Sequence, residues 1–408
     1  MELNIQNGIV PADDSCQPEH EFSLVQVSCR HLKIYSPSNK TQLEHLLQSW
    51  SSKIPVERAL TLPSGFYTSR DVFELERYAI FGQNWLLAGR KSQLKKPGDF
   101  LTDRFLSEPY IINIDKSSTL FAHYNVCCHH GMSLLNDSQG HIATNEITCP
   151  YHGWIYDFNG RLKKAFRLKT IEQFKASTVR LKPILIQTIG PFIYLNFNFL
   201  NNDNIKSDLS HIEHIDKKYL KATNYEQLEY VTRKSYHIKC NWKIFVDNYL
   251  DGGYHVPYAH KQLCSILNMN EYKTVVDYPK TSVQYCTGME RTEGDVVFIY
   301  IYPNLMINRY GPYMDTNLVV PIDERNCIVH MDYYYCPQST TKTAENDSQK
   351  DSNVVQQEDI SLCENVQLGL ESQAYDSGRY VPTVEHAMHD FHKTLFNQLE
   401  NYYNNHVK

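Results

Sequence analysis

The residues of this chain best suited to chemistry sit in two short stretches. Val126–Gly131 reads VCCHHG and Cys149–Trp154 reads CPYHGW, so one stretch offers Cys-x-His and the other Cys-x-x-His. Thiolates and imidazoles at such density point to metal. The first stretch is ambiguous in register, because Cys127 with His129 and Cys128 with His130 share one spacing. Two cysteines and two histidines admit a tetrahedral structural zinc, or a [2Fe–2S] cluster with two Cys on one iron and two His on the other. Zinc sites of this composition usually present both cysteines first and both histidines afterwards. Here each stretch supplies one of each. Each can then reach both irons of a cluster, with the two imidazoles together on the outer iron, where an exposed edge passes electrons.

A second constellation lies in VDNYLDGGYHVPYAH, which carries His255 and His260. On an unbroken helix, side chains five residues apart point about 140° from each other. Gly252-Gly253 and Pro257 supply the break that lets the two histidines converge. Such a pair calls for a carboxylate as third ligand, since two His and one carboxylate on Fe(II) leave positions open for oxygen and substrate. Composition does not select that carboxylate among 46 acidic residues.

The elements that must position these groups are partly legible. Residues 1–53 are polar and weakly patterned; TQLEHLLQSW has room for a short helix, and the remainder reads as a flexible tail. SRDVFELERYAIF opens on a capping serine and has helical apolar spacing. LFAHYNVC is strand-like, GWIYDFNGRL places Asn159-Gly160 between two apolar runs as a hairpin, and Gly190-Pro191 separates two further strands. Residues 54–205 therefore read as a helix followed by a β domain whose loops carry Cys and His.

Residues 206–408 differ in pattern. LEYVTRKSYHI alternates as a strand, while Trp242, Phe245, Val246 and Tyr249 form one apolar helix face. Strands are expected at DVVFIYIYP, TNLVVPI and NCIVHMDYYYC. PQSTTKTAENDSQKDSNVVQQ reads as a polar surface excursion, and EDISLCENVQLGLES and TVEHAMHDFHKTLFNQLENYY as helices. The sum is an α+β chain without internal repeats.

Composition narrows the partners. A length of 408 residues suits two domains, and a net charge of −6 gives nucleic-acid binding no electrostatic support. No apolar run reaches the roughly 18 residues of a membrane span. The N-terminal stretch lacks a secretory apolar core, so the 11 cysteines read as thiols or ligands rather than a disulfide framework. Glu2, Asp13, Asp14, Glu19 and Glu21 argue against a transit peptide, which makes the cytoplasm the expected compartment, with plastid and mitochondrion left open. There is no GxGxxG and no plant-type ferredoxin cysteine spacing, so electrons must come from a separate protein.

NVCCHHG and CPYHGW resemble the paired signature of the Rieske non-haem iron oxygenases. The resemblance runs from about Pro55 to about Phe396. It includes PVERALTLPSGFYTSRDVF, NYLDGGYHVPYAHK, YPNLMINRYGP and LESQAYDSGRY, which are similar to the choline monooxygenase, quaternary-amine branch. It implies Cys127, His129, Cys149 and His152 as ligands of a Rieske [2Fe–2S] cluster. Cys128 and His130 stand where the family commonly has basic residues. It further implies His255, His260 and Asp359, the Asp of Gln-x-Glu-Asp, as ligands of a mononuclear Fe(II), with Glu358 the fallback.

The implied fold is a Rieske β domain followed by a helix-grip catalytic domain with an antiparallel sheet, assembled in rings, often trimers. In such rings a carboxylate bridges one subunit's cluster to the next subunit's iron. Many relatives carry it three residues before the first iron histidine, where this chain has Gly252, so Asp251 takes the expected role and Asp247 is the alternative. The implied activity uses O2, with electrons from a ferredoxin or flavin reductase, to hydroxylate a quaternary amine. Choline going to betaine aldehyde hydrate, as in glycine betaine biosynthesis, is foremost; carnitine, glycine betaine or an aromatic compound are alternatives. Tyr258, Tyr302 and Tyr310 are candidates to face the ammonium, although each is also explicable as packing. On the residues alone, a non-catalytic electron carrier or zinc-stabilised protein stays open.

Overall fold

Ten short strands between Leu86 and Asn196 build the first structural unit. They are β1 (Leu86–Arg90), β2 (Asp99–Phe105), β3 (Glu108–Ile114), β4 (Leu120–Tyr124), β5 (Gln139–His141), β6 (Glu146–Thr148), β7 (Ile155–Asp157), β8 (Leu162–Lys164), β9 (Leu185–Ile189) and β10 (Phe192–Asn196). This is a computed structural model, and it describes residues 35–168, 174–198, 209–265, 267–286, 296–337 and 342–408. The strands form three small sheets, ordered β1-β10-β9, β4-β3-β2-β5 and β6-β7-β8. Both expected turns form: β7 and β8 pair across Asn159-Gly160, and β9 and β10 pair with Phe192 opposite Ile189. Gly160 sits at φ +81°, and a Cβ there would lie 2.6 Å from His123 Nε2, so only glycine fits. Cys127 and Cys149 belong to the core of this unit, packed with Ile147, Trp154, Tyr156 and Leu181.

The second unit combines described parts of 35–86 and 203–408. Its helices before the sheet are α1 (Lys40–Gln48), α2 (Gly65–Thr68), α3 (Arg70–Glu76, continued by a π-helical turn) and α4 (Ser210–Ile215). Strand β11 (Glu229–Ile238) follows, then α5 (Trp242–Tyr249), α6 (Val256–Ala259) and α7 (Lys261–Cys264). The remaining strands are β12 (Lys273–Val275), β13 (Thr281–Cys286), β14 (Val296–Ile301), β15 (Leu305–Tyr310), β16 (Tyr313–Asp323) and β17 (Asn326–Tyr335). Helices α8 (Lys342–Leu370) and α9 (His386–His406) end the chain. The seven strands form one sheet, β11-β17-β16-β15-β14-β13-β12, antiparallel throughout. Helices α5 and α8 grip one face of it: Tyr249 on α5 bonds Asn308 on β15, and Ser352 and Asn353 on α8 bond Tyr333 on β17 and Tyr236 on the edge strand β11.

Three expectations need correction. The domain division drawn at residues 53/54 differs from the structure, where 35–86, including α3, belongs to the second unit. Residues 35–53 are not a free tail. Tyr35, Leu43, Leu47 and Trp50 are buried, and Trp50 lies 5.1 Å from Phe396 of α9, a partner far away in sequence. (Of the expected tail, residues 1–34 lie outside the described residues.) The polar excursion at 337–357 is, from Lys342 onward, the first half of α8. No Gly or Pro interrupts that half, and its sheet-facing side is itself polar, through Ser352 and Asn353, so no apolar stripe betrays it.

Two buried clusters hold the second unit together. Lys243 Nζ lies 2.6 Å from Glu76 Oε1 with both side chains at 0% exposure, and Glu76 also accepts from Trp242 Nε1. Burial pushes the Glu76 carboxyl up and the Lys243 ammonium down, and each group is the other's largest compensation. Lys243→Met strands a buried carboxylate, so it should lower stability by about 3–5 kcal/mol, whereas Glu76→Leu/Lys243→Met should recover most of that loss. Denaturant unfolding of the three proteins checks this; equal losses in single and double variants would refute it. Beneath α8, Cys240 Sγ lies 3.9 Å from Cys327 Sγ and near Cys363 of that helix, all three fully or almost fully buried.

Candidate metal centres

The loop after β4 and the loop between β6 and β7 close in the same way. Cys127 N–H donates to Met132 O and Gly131 N–H to Cys127 O, at 2.8 and 2.9 Å. Cys149 N–H donates to Trp154 O and Gly153 N–H to Cys149 O, at 2.7 and 3.1 Å. Gly131 and Gly153 both adopt left-handed backbone, with φ +72° and +71°. This equivalence aligns Cys127, rather than Cys128, with Cys149. Both aligned cysteines are 2% exposed. Cys128 points elsewhere and donates its thiol to Arg180 O.

The imidazoles lie at the protein surface. His129 Nδ1 and His152 Nδ1 face each other at 3.1 Å, and the His129 ring stacks on Trp154 at 4.7 Å. Two buried sulfurs with two outward Nδ1 atoms fit a [2Fe–2S] cluster of mixed ligation, inner iron on Cys and outer iron on His. Burial, above all, raises the Cys127 thiol, a cost that binding as thiolate to iron would relieve. The Tyr156 hydroxyl lies 3.2 Å from Cys127 Sγ, where it can donate to a ligating sulfur, and Asn125 braces the loop from behind by bonding Leu134 and Leu135. Neither Tyr156 nor Asn125 was singled out from sequence, because single polar residues carry no spacing signal.

The second centre forms where α5 breaks. Gly252 and Gly253 take φ +71° and +74°, and a Cβ on Gly252 would lie 2.3 Å from Val384 O. The chain then makes the single turn α6, with His255 just before it and His260 just after. Their rings approach to 4.9 Å. Asp359 arrives from α8, and one ligand atom from each of His255, His260 and Asp359 lies within 4.8 Å of the others. Asp359 Oδ1 is 3.0 Å from His260 Nε2 and 3.7 Å from His255 Nε2.

What turns the Nε2 atoms inward is a pair of further carboxylates. His255 Nδ1 lies 2.6 Å from Asp251 Oδ2, and His260 Nδ1 lies 2.7 Å from Glu358 Oε2. An Nδ1–H held by a carboxylate leaves Nε2 as a lone pair, the arrangement that orients metal-bound histidines. Burial pulls the His260 pKa down, but Asp359 and Glu358 outweigh it, and the imidazole ends above its ordinary value. Two lone pairs and a carboxylate oxygen converging on one point fit a cation with positions left open. Asn248 donates to Asp359 Oδ1 at 2.7 Å and fixes that carboxylate.

The other named residues scatter. Asp247 turns away from the centre: its carboxylate is held by Tyr67 and by His392, in contact with Tyr380. Tyr302 is 1% exposed and donates to Gln398 of α9. Tyr258 is 79% exposed on α6. Tyr310 stays on the gripped face of the sheet and donates to Asp315.

Comparison with known proteins decides the family. A model of the Rieske [2Fe-2S] domain matches residues 84–175, and one of the ring hydroxylating alpha subunit catalytic domain matches 225–401. The chain is 39% identical over 378 residues to "Choline monooxygenase, chloroplastic" of Arabidopsis thaliana, covering 88% of each. The chain belongs to the Rieske non-haem iron oxygenases. A further relative in that family is the carnitine monooxygenase oxygenase subunit of Acinetobacter pittii, at 29% identity over 78% of this chain and 87% of that one. Among solved structures, the quaternary ammonium Rieske monooxygenase CntA with L-carnitine superposes with a TM-score of 0.74 at 28% identity, over 83% of this chain and 96% of that one. As a Rieske oxygenase the chain carries a [2Fe–2S] cluster and a mononuclear iron, and takes electrons from a partner protein. Among the described residues no helix is long and apolar enough to cross a membrane.

Proposed function

We propose that this Rieske oxygenase is a choline monooxygenase: it converts choline, O2, two electrons and two protons into betaine aldehyde hydrate and water. The reading rests on the relative from Arabidopsis thaliana, which covers 88% of this chain. When bound, the cluster supplies single electrons, and the mononuclear iron activates O2 for insertion of one oxygen atom into a C–H bond. Cys127, Cys149, His129 and His152 hold the cluster. His255, His260 and Asp359 hold the iron, while Asp251 and Glu358 keep Nδ1 of each histidine protonated and Nε2 free. The functional assembly is a homo-oligomeric ring, taken as a trimer, with a ferredoxin or flavin reductase as donor. Compartment follows the partner; a plastid location accords with the chloroplastic relative.

Oxygen uptake with choline, carnitine and glycine betaine, supported by a surrogate reductase, tests the substrate. Choline-dependent uptake with betaine aldehyde as product is expected. Turnover of carnitine alone moves the substrate, and a zinc-loaded colourless protein removes the oxygenase reading altogether.

Asp251 carries the electron between the centres in this reading, because its carboxylate touches His255 Nδ1 whereas both oxygens of Asp247 are taken elsewhere. Asp251→Asn should retain both metal centres and slow oxidation of the reduced cluster by about 10- to 100-fold. Stopped-flow absorbance with saturating substrate reads that rate; an unchanged rate would hand the role to another group.

A further inference from the structure

Asp315 is a buried carboxylate without a counter-charge among the described residues. It is 2% exposed in the middle of β16. Its oxygens accept from the Tyr310 hydroxyl at 2.8 Å and from the amides of Asn308 and Asn317 at 2.7 Å each. All three donors are neutral, and no Lys, Arg or His ion pair reaches it among the described residues. Burial pushes its carboxyl up to about 6, and those hydrogen bonds keep it from rising further. A carboxylate kept ionised in such surroundings is costly unless a cation offsets it.

The surroundings show what kind of cation would. Register places Asp315 on the same sheet face as Asn308 of β15 and Tyr333 of β17, its cross-strand partners. That is the face gripped by α5 and α8. Tyr333 bonds Ser352 of α8, which lies seven residues, two helical turns, before Asp359. On the α5 side, Tyr249 bonds Asn308 at 2.8 Å, and the neighbouring residue of Tyr249 is Asn248, which holds Asp359. Asp315 is thus tied to both elements that carry the iron ligand and its support. Tyr236, Tyr249, Tyr310 and Tyr333 surround it closely enough that its charge raises the Tyr333 phenol, second only to burial.

From this geometry we infer that Asp315 is the counter-charge of the substrate's trimethylammonium group, with tyrosine rings of the same sheet face as its walls. The inference rests on the quaternary-amine reading and deepens it. A trimethylammonium has no N–H, so it gains nothing from a free acceptor and asks only for diffuse negative charge and aromatic faces. Asp315, whose oxygens already accept three hydrogen bonds, offers charge of that sort; a primary amine would compete for those acceptors. The same charge works against glycine betaine, whose own carboxylate lies one methylene from its nitrogen.

Calorimetric binding to the full-length, metal-loaded protein under anaerobic conditions tests this, using choline and its uncharged isostere 3,3-dimethylbutan-1-ol. The unsubstituted protein should prefer choline by about tenfold or more. Asp315→Asn should weaken choline on the order of 100-fold and leave the isostere within about threefold. Choline binding unchanged in Asp315→Asn, or both ligands weakened alike, overturns the inference. If Asp315→Asn does not fold, as judged by cluster absorption and melting, the unsubstituted protein decides: equal affinity for choline and isostere overturns it. A protein that binds none of choline, carnitine and glycine betaine brings down the quaternary-amine reading and this inference with it. Binding of one of them that survives Asp315→Asn sinks the inference alone.

Discussion

Replacing His260 by alanine should cut turnover on the order of 1000-fold or more while the cluster keeps its visible absorption and its reduced-state EPR signal. His260 is 1% exposed and presents Nε2 toward Asp359 at 3.0 Å, so its loss removes a donor that neither water nor a neighbour replaces in that geometry. Mononuclear iron should be lost in proportion, measured as iron remaining after gel filtration. Asp359→Ala should behave the same way. Glu358→Gln separates ligand from tether: it leaves Nε2 in place and loosens only the Nδ1 side, at a cost of about 10- to 100-fold in metal affinity or rate. Full activity in His260→Ala, or equal collapse in Glu358→Gln and Asp359→Ala, would mean the iron sits elsewhere.

The second large effect concerns the doubled motif. Cys127→Ala and Cys149→Ala should each abolish the cluster, leaving protein without its visible bands, whereas Cys128→Ala should keep it. The matched closure of the two loops is the reason: the N–H of Cys127 and that of Cys149 each reach the carbonyl five residues on, and a glycine follows four residues after each cysteine. Cys128 is turned to Arg180 O and shares none of this. Absorption and EPR of purified variants read the outcome directly. A colourless Cys128→Ala beside a coloured Cys127→Ala would shift the register by one residue.

Local patterns carried a good part of this architecture. Period-two alternation in Glu229–Ile238, the Asn159-Gly160 turn and the apolar face of Trp242–Tyr249 are all statements about neighbours in sequence, and such statements survive folding. The side chains that the spacing of Cys and His singled out are those the structure brings together in two clusters. The illegible parts depend on distant partners. Nothing in 35–53 announces that Trp50 meets Phe396, and the polar inner side of α8 looks like a solvated loop until Tyr236 and Tyr333 are set opposite it. Asp315 was hidden for a similar reason. A single acidic residue on a strand has no period, and only the three donors around it reveal that it is buried. That Tyr302 lies against α9 was not legible either, because proximity in sequence to a conspicuous motif says nothing about which helix covers a residue.

The thiols beneath α8 make the two halves of the chain separately observable. Cys240, Cys327 and Cys363 are at most 1% exposed, so a thiol-reactive dye reaches them only when the catalytic half opens. The cluster gives the other half a colour of its own. Bleaching followed by absorbance, and labelling of these three cysteines read peptide by peptide because Cys128, Cys264 and Cys336 are only half-buried, would time two openings at once in a heated or denaturant-treated sample, and would show whether a destabilising change such as Lys243→Met loosens one half while the other stays shut.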